Sequence, residues 1–180
     1  MKSVFLFVGV AVLGLAIGVA AALLTRPSPP QPGTVGAGVG DYRPDFRHGD
    51  LSGQWVSADD FDGRLLLVNF WATWCAPCRR EMPVLQAADH EHGERLAVVG
   101  IAIDDPGPVR DFVEELGIEY PILVGAADVM ATQQAWGNSA GALPYTVLVD
   151  QEGIIRWQHL GEVSAEELAR TLTPWLRNSP

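Results

Sequence analysis

Leu65-Leu66-Leu67-Val68-Asn69-Phe70-Trp71-Ala72-Thr73-Trp74-Cys75-Ala76-Pro77-Cys78-Arg79-Arg80-Glu81-Met82-Pro83 is the stretch that decides the fold. Its first part, Leu65–Phe70, is apolar without alternation, the pattern of a strand covered on both faces. A helix is expected from Cys75 to about His92. Pro77 suits its first turn, where the missing N–H would have no intrahelical partner. Pro83 falls inside and is expected to kink it.

Working outward, Leu96–Ile103 reads as a second buried strand and Val109–Leu116 as an amphipathic helix ended by Gly117. Met130–Trp136 is a further helix. Tyr145–Asp150 and Ile154–Leu160 are strands joined as a hairpin through Glu152-Gly153. Ser164 with Glu167 forms a capping box that opens a last helix running to about Leu176. Helices between buried strands imply an α/β sheet covered on both faces, with an antiparallel hairpin near the end. Residues 41–60 carry a weaker signal, with Gln54–Val56 as one strand of a small amino-terminal hairpin.

The chain has 180 residues, enough for one domain with a real core plus attachments. Its 22 acidic residues exceed its 12 basic ones, and no basic stripe exists to neutralise phosphates, which argues against nucleic-acid binding. Ser3–Leu24 carries no charge and, as a helix, would be about 33 Å long, enough to cross a bilayer core. We read residues 1–26 as an uncleaved transmembrane anchor. A cleaved signal peptide is the alternative, since Ala20 and Ala22 imitate its cleavage site. Lys2 before the segment places the remainder outside the cytoplasm, with Arg26 opposing weakly. Residues 27–40, PSPPQPGTVGAGVG, read as a linker, and 41–180 as the folded domain.

The two cysteines lie where a strand hands over to a helix. Unpaired N–H groups and the positive end of the helix dipole converge on Cys75, and both favour the thiolate. Cys78 is about one helical turn on, so the two sulfurs can join with little backbone movement. A structural disulfide between such close neighbours would stabilise little. A zinc site would need two more ligands, which His90 and His92 could supply. Two inert buried thiols fit poorly with an oxidising compartment. A redox-active Cys75–Cys78 dithiol is the preferred reading, and it needs no metal or organic cofactor.

From Phe70 to Pro83 the sequence resembles the active-site segment of the TlpA, ResA and CcmG-type proteins, membrane-anchored thioredoxin-like thiol–disulfide oxidoreductases of the bacterial envelope. The resemblance extends from about Phe46 to Leu176 through Leu143-Pro144 ahead of a strand and the Asp150…Gly153 hairpin. It implies a thioredoxin-like fold, a central mixed sheet flanked by helices, with an amino-terminal hairpin and a mid-chain insertion. It also implies that Cys75 attacks and Cys78 resolves, that Pro144 is the cis-proline beside the disulfide, and that the backbone of Leu143 pairs with an extended substrate segment. Cytosolic thioredoxins carry a buried Asp where this chain has Asn69. ResA-type proteins place a glutamate where this chain has Glu81, which would relay a proton to or from Cys78. The bland reading of Glu81 is a solvated acid or a partner of Arg79 or Arg80.

Two departures from the family pattern stand out. The loop Gly137–Ala142 is about two residues longer than expected, and Tyr145 stands where the CcmG branch has Glu. Tyr145 and Trp74 are then either groove residues or core packing. The resemblance favours reduction of client disulfides, as in cytochrome c or oxidase maturation, with re-reduction by a membrane thiol transporter of the DsbD or CcdA kind. It places the soluble domain in the periplasm, held at the inner membrane. The same dithiol can run as an oxidant or isomerase. A copper(I)-handling module is a weaker alternative, since no Met-rich tract exists. A peroxidase would need Pro where Val68 stands. A purely structural tethered domain would ignore loss of both cysteines.

Overall fold

The computed structural model describes residues 36–177. The charge-free Ser3–Leu24 segment and the linker through residue 35 lie outside the described residues. Among the described residues no helix is long and apolar enough to cross a membrane.

Seven strands, β1 (Arg47–Asp50), β2 (Trp55–Ser57), β3 (Leu65–Trp71), β4 (Leu96–Ile103), β5 (Ile122–Gly125), β6 (Tyr145–Val149) and β7 (Ile155–Leu160), form one sheet in the order β2-β1-β5-β4-β3-β6-β7. β3, β4 and β5 run parallel at its centre. β1 and β2 form the amino-terminal hairpin on one side, and β6 and β7 the antiparallel hairpin on the other. All seven residues of β3 are buried, as a strand at the middle of a covered sheet requires, and Asn69 is its one polar residue.

The pleat sends the residues of β3 alternately to two cores. Leu65, Leu67 and Trp71 face helices α1 (Ala76–His92), α2 (Pro106–Leu116) and α4 (Ala165–Leu176), meeting Met82, Leu85, Phe112, Leu168 and Leu172. Leu66, Val68 and Phe70 face the other side, where Phe46, Phe61, Val129 and Trp136 close the second core with helix α3 (Ala127–Ala135). His48 of β1 is buried there and ties the hairpin to α3. Its Nδ1 lies 3.0 Å from Asp128 Oδ2 and its Nε2 2.9 Å from Thr132 Oγ1.

Several sequence expectations shift. β5 was not foreseen: its four residues follow Pro121 and offer too short a run to show a period. α2 starts at Pro106, because Asp105 takes the cap position and a proline is tolerated in the first turn. α3 begins before Met130 and ends before Trp136. The helix bearing the cysteines keeps its expected extent, with α1 running from Ala76 to His92 and Pro83 inside it. β6 stops at Val149, and the carboxylate of Asp150 instead accepts the N–H groups of Glu152 and Ile154 in the hairpin turn. Half of the expected capping box forms. Ser164 Oγ accepts the Glu167 N–H at 3.2 Å, while the Glu167 carboxylate faces His159.

The expected linker end, Gly36–Gly40, packs on the domain. Ala37 N–H donates to Ala135 O and Gly40 N–H to Ile155 O, both at 2.8 Å. The folded part therefore begins ahead of Asp41.

Gly100 is required by close approach. A Cβ there would lie 2.7 Å from Ile122 Cδ1 and 2.9 Å from Trp71 Nε1. The indole of Trp71 and the ring of Tyr120 use this space, the Tyr120 ring lying 3.2 Å from such a Cβ. Gly100→Ala is expected to cost about 1–3 kcal/mol of stability through overpacking, read as a lower midpoint in urea unfolding. An unchanged midpoint would show that the Trp71 side of the core is loosely packed.

Candidate active site

β3 ends at Trp71 and α1 begins at Ala76, so the intervening turn sits at the carboxyl ends of the parallel strands. Asp104, just past β4, holds this turn by accepting from the Thr73 hydroxyl at 2.5 Å and the Thr73 N–H at 3.2 Å. Cys75 is the residue before the helix, with extended backbone. Its sulfur accepts the N–H of Cys78 at 3.3 Å. The sulfur therefore takes the place of a capping oxygen, and the helix start directs its partial positive charge at it. Such surroundings favour a thiolate.

Cys75 and Cys78 are joined in a disulfide, their Cα atoms 5.3 Å apart. The two sides differ in access: Cys78 is fully buried, Cys75 is 5% exposed, and the neighbouring Trp74 is 71% exposed. The arrangement lets a partner sulfur approach Cys75 and shields Cys78.

Glu81 lies on the same face of α1 as Cys78 and is completely buried. Its Oε1 accepts from Asn69 Nδ2 at 2.7 Å, and its Oε2 from the Val163 N–H at 3.0 Å. Burial pushes its pKa up to about 7, against the two donors, which favour the charged form. Asn69 Nδ2 also donates to Thr146 Oγ1 at 3.0 Å, while Asn69 Oδ1 is buried without a partner. Rotated by half a turn, the same carboxamide would offer its oxygen to a protonated Glu81 and to the Thr146 hydroxyl. Asn69 can therefore serve either protonation state. Glu81 is not a solvated acid, nor a partner of the arginines. Arg79 pairs with Glu115, and Arg80 with Glu162.

The peptide bond Leu143-Pro144 is cis. Pro144 is buried, Leu143 is half-buried and packs against both cores, and Pro144 O accepts the Gly161 N–H at 2.9 Å. Tyr145 does not line a groove, which corrects that expectation. It is 5% exposed, it belongs to the core on the far face with Val147 and Val149, and its hydroxyl donates to Trp136 O at 2.9 Å. The pleat decides this, since adjacent residues of β6 point to opposite faces. His90 faces Gln86 and Glu119, and among the described residues no group of His, Cys, Asp and Glu is placed to hold a metal ion. The sequence reading missed Asn69, Thr146 and Val163 as companions of Glu81. The one polar residue inside an apolar strand, Asn69, was the available signal.

The sign of the Glu81 effect on stability follows from linkage. Folding raises its pKa from 4.5 to about 7. Below the lower value both states hold the proton. Between the two values only the folded state does, so stability falls as pH rises and levels off above the upper one. The full change is expected to be about 3 kcal/mol. Urea unfolding from about pH 4 to pH 8 should show this decline, and Glu81→Gln should flatten it. An equal slope in both proteins would assign the pH dependence elsewhere.

Comparison with known proteins agrees with this geometry. The AhpC/TSA family matches residues 39–158. The thioredoxin-like protein YneN of Bacillus subtilis is 34% identical over 142 residues, covering 77% of this chain and 81% of the relative. The thiol–disulfide oxidoreductase ResA of Geobacillus kaustophilus is 30% identical over 136 residues, covering 74% and 76%. Among solved structures, a thiol:disulfide interchange protein DsbE from Chlorobium tepidum superposes with a TM-score of 0.70 at 25% identity, covering 77% of this chain and 98% of that one. A DsbF homologue from Corynebacterium diphtheriae gives a TM-score of 0.65 at 29% identity, covering 82% and 91%. With a thioredoxin-like fold, a Cys-x-x-Cys disulfide at a helix start and these relatives, the chain belongs to the AhpC/TSA family and is a thiol–disulfide oxidoreductase of the ResA type.

Proposed function

We propose that this oxidoreductase reduces disulfides of client proteins outside the cytoplasm, tethered to the inner membrane by residues 1–26, and that its clients belong to cytochrome c or oxidase maturation. The observation that carries the exchange chemistry is the buried acid on the helix face that bears Cys78. Glu81, buried and with its pKa raised to about 7, can take up or release the resolving cysteine's proton near neutrality.

In the proposed cycle the Cys75 thiolate attacks one sulfur of a client disulfide. A mixed disulfide forms and the client's other sulfur leaves as a thiolate. Cys78 gives its proton toward Glu81 and attacks the Cys75 sulfur, releasing the second client thiolate. Two electrons pass to the client, and the Cys75–Cys78 disulfide remains. The exposed Trp74 adjoins Cys75, and Leu143, ahead of cis-Pro144, packs against the core that holds both cysteines. A membrane thiol transporter of the DsbD or CcdA kind would return the electrons, and the anchor would keep the domain within its reach. Relatives named ResA and DsbE support this reading.

Cys78→Ser is expected to accumulate mixed disulfides through Cys75 in membrane fractions, seen as thiol-sensitive adducts on non-reducing gels, with maturation-pathway clients among them. Cys75→Ser should give none. A strain carrying both substitutions should lose covalently haem-bearing cytochromes or oxidase activity and regain them with added exogenous thiol. Adducts that contain no such client, or unchanged cytochromes and oxidase, would contradict the maturation role. Turnover of hydroperoxide by the purified chain would contradict the reductase reading.

A further inference from the structure

The loop between α3 and β6 is the segment whose extra length has no part in the chemistry above. Two buried carboxamides converge on it. Gln133, 1% exposed, donates from Nε2 to Ala142 O at 3.3 Å, and Asn138, 4% exposed, from Nδ2 to the same oxygen at 2.7 Å. The loop closes on itself through Gly141 N–H to Asn138 O at 3.2 Å. Its foot is fixed as well. Gln158 Nε2 donates to both Ala37 O and Trp136 O, at 2.7 and 3.0 Å, and Tyr145 donates to Trp136 O.

Ala142 is exposed, yet its carbonyl is drawn inward onto two buried donors. The peptide joining Ala142 to Leu143 is trans, since the cis bond of this stretch is the next one. In a trans peptide the N–H points away from the carbonyl. Holding Ala142 O toward the interior therefore aims the Leu143 N–H outward. The following residue offers no N–H, because it is Pro144, and Pro144 O is already taken by Gly161.

We infer that Gln133 and Asn138 are positioning residues for client binding: by pinning the Ala142 carbonyl they set the Leu143 N–H toward the backbone of an extended, disulfide-bearing segment of the client. They touch neither sulfur. This inference rests on the proposed reduction of protein disulfides. Its effect should appear with a client that has a backbone to pair, and not with a small disulfide that reacts at Cys75 alone.

The experiment compares the reduced full-length chain with Gln133→Met and Asn138→Asp, singly and together. Each is reacted with oxidised insulin and, separately, with a small aromatic disulfide that releases a coloured thiolate. Both substitutions keep side-chain size; Met offers no donor, and Asp offers none once ionised. The double variant is expected to react with insulin about tenfold more slowly. Its rate with the small disulfide and its reduction potential should match the unsubstituted chain. Equal rates with insulin, or equal loss on both substrates, would overturn the inference. If the double variant fails to fold, seen by circular dichroism, the same comparison on Asn138→Asp decides. If the unsubstituted chain does not reduce insulin while reacting with the small disulfide, the proposed client reduction fails and the inference falls with it.

Discussion

The Glu81 carboxylate, clasped between Asn69 of the central strand and the Val163 amide ahead of the last helix, is the interaction on which the rest of the site depends. It cross-links α1, β3 and the segment leading into α4, three parts of the chain distant in sequence. A buried acid is costly unless it is paired or neutral. Here two donors offset part of that cost, and protonation near neutrality relieves the remainder. One group thus fixes the helix that carries both cysteines and supplies a titratable site beside the buried one.

The surrounding architecture separates rigidity from access. The disulfide sits at the carboxyl ends of parallel strands, with its turn held by Asp104 and the second turn of its helix by Glu81. Cys78 is sealed, and Cys75 opens beside an exposed Trp74 and the half-buried Leu143. The cis-proline loop approaches from the other side of the sheet centre, on β6, which pairs antiparallel with β3. The cysteine turn and the cis-proline loop are therefore carried by adjacent strands.

Much of this was legible in the sequence because it rests on local rules. An apolar run without alternation marked the central strand, a proline in the first turn marked the helix start, and Glu152-Gly153 marked the hairpin. The spacing of Cys78 and Glu81 put them on one helix face. What escaped notice depends on partners brought together by folding. The companions of Glu81 come from β3, β6 and the loop before α4, and no spacing relates them. Ile122–Gly125 pairs between two other strands but is too short to show its own pattern. Gly36–Gly40 looks like linker by composition, yet its backbone hydrogen bonds tie it to α3 and β7. From sequence alone Tyr145 reads equally as groove or core. Its parity on β6, one residue after the cis-proline, turns it away from the cysteines.

The central claim is that this site gives electrons to clients instead of taking them. The reduction potential of the Cys75–Cys78 pair tests it most directly, by equilibration in graded thiol–disulfide buffers followed through tryptophan fluorescence beside the site. The account predicts a value near or below about −230 mV, close to thioredoxin. A value near about −120 mV, in the range of a strong oxidant, would reverse the direction of electron flow and contradict it.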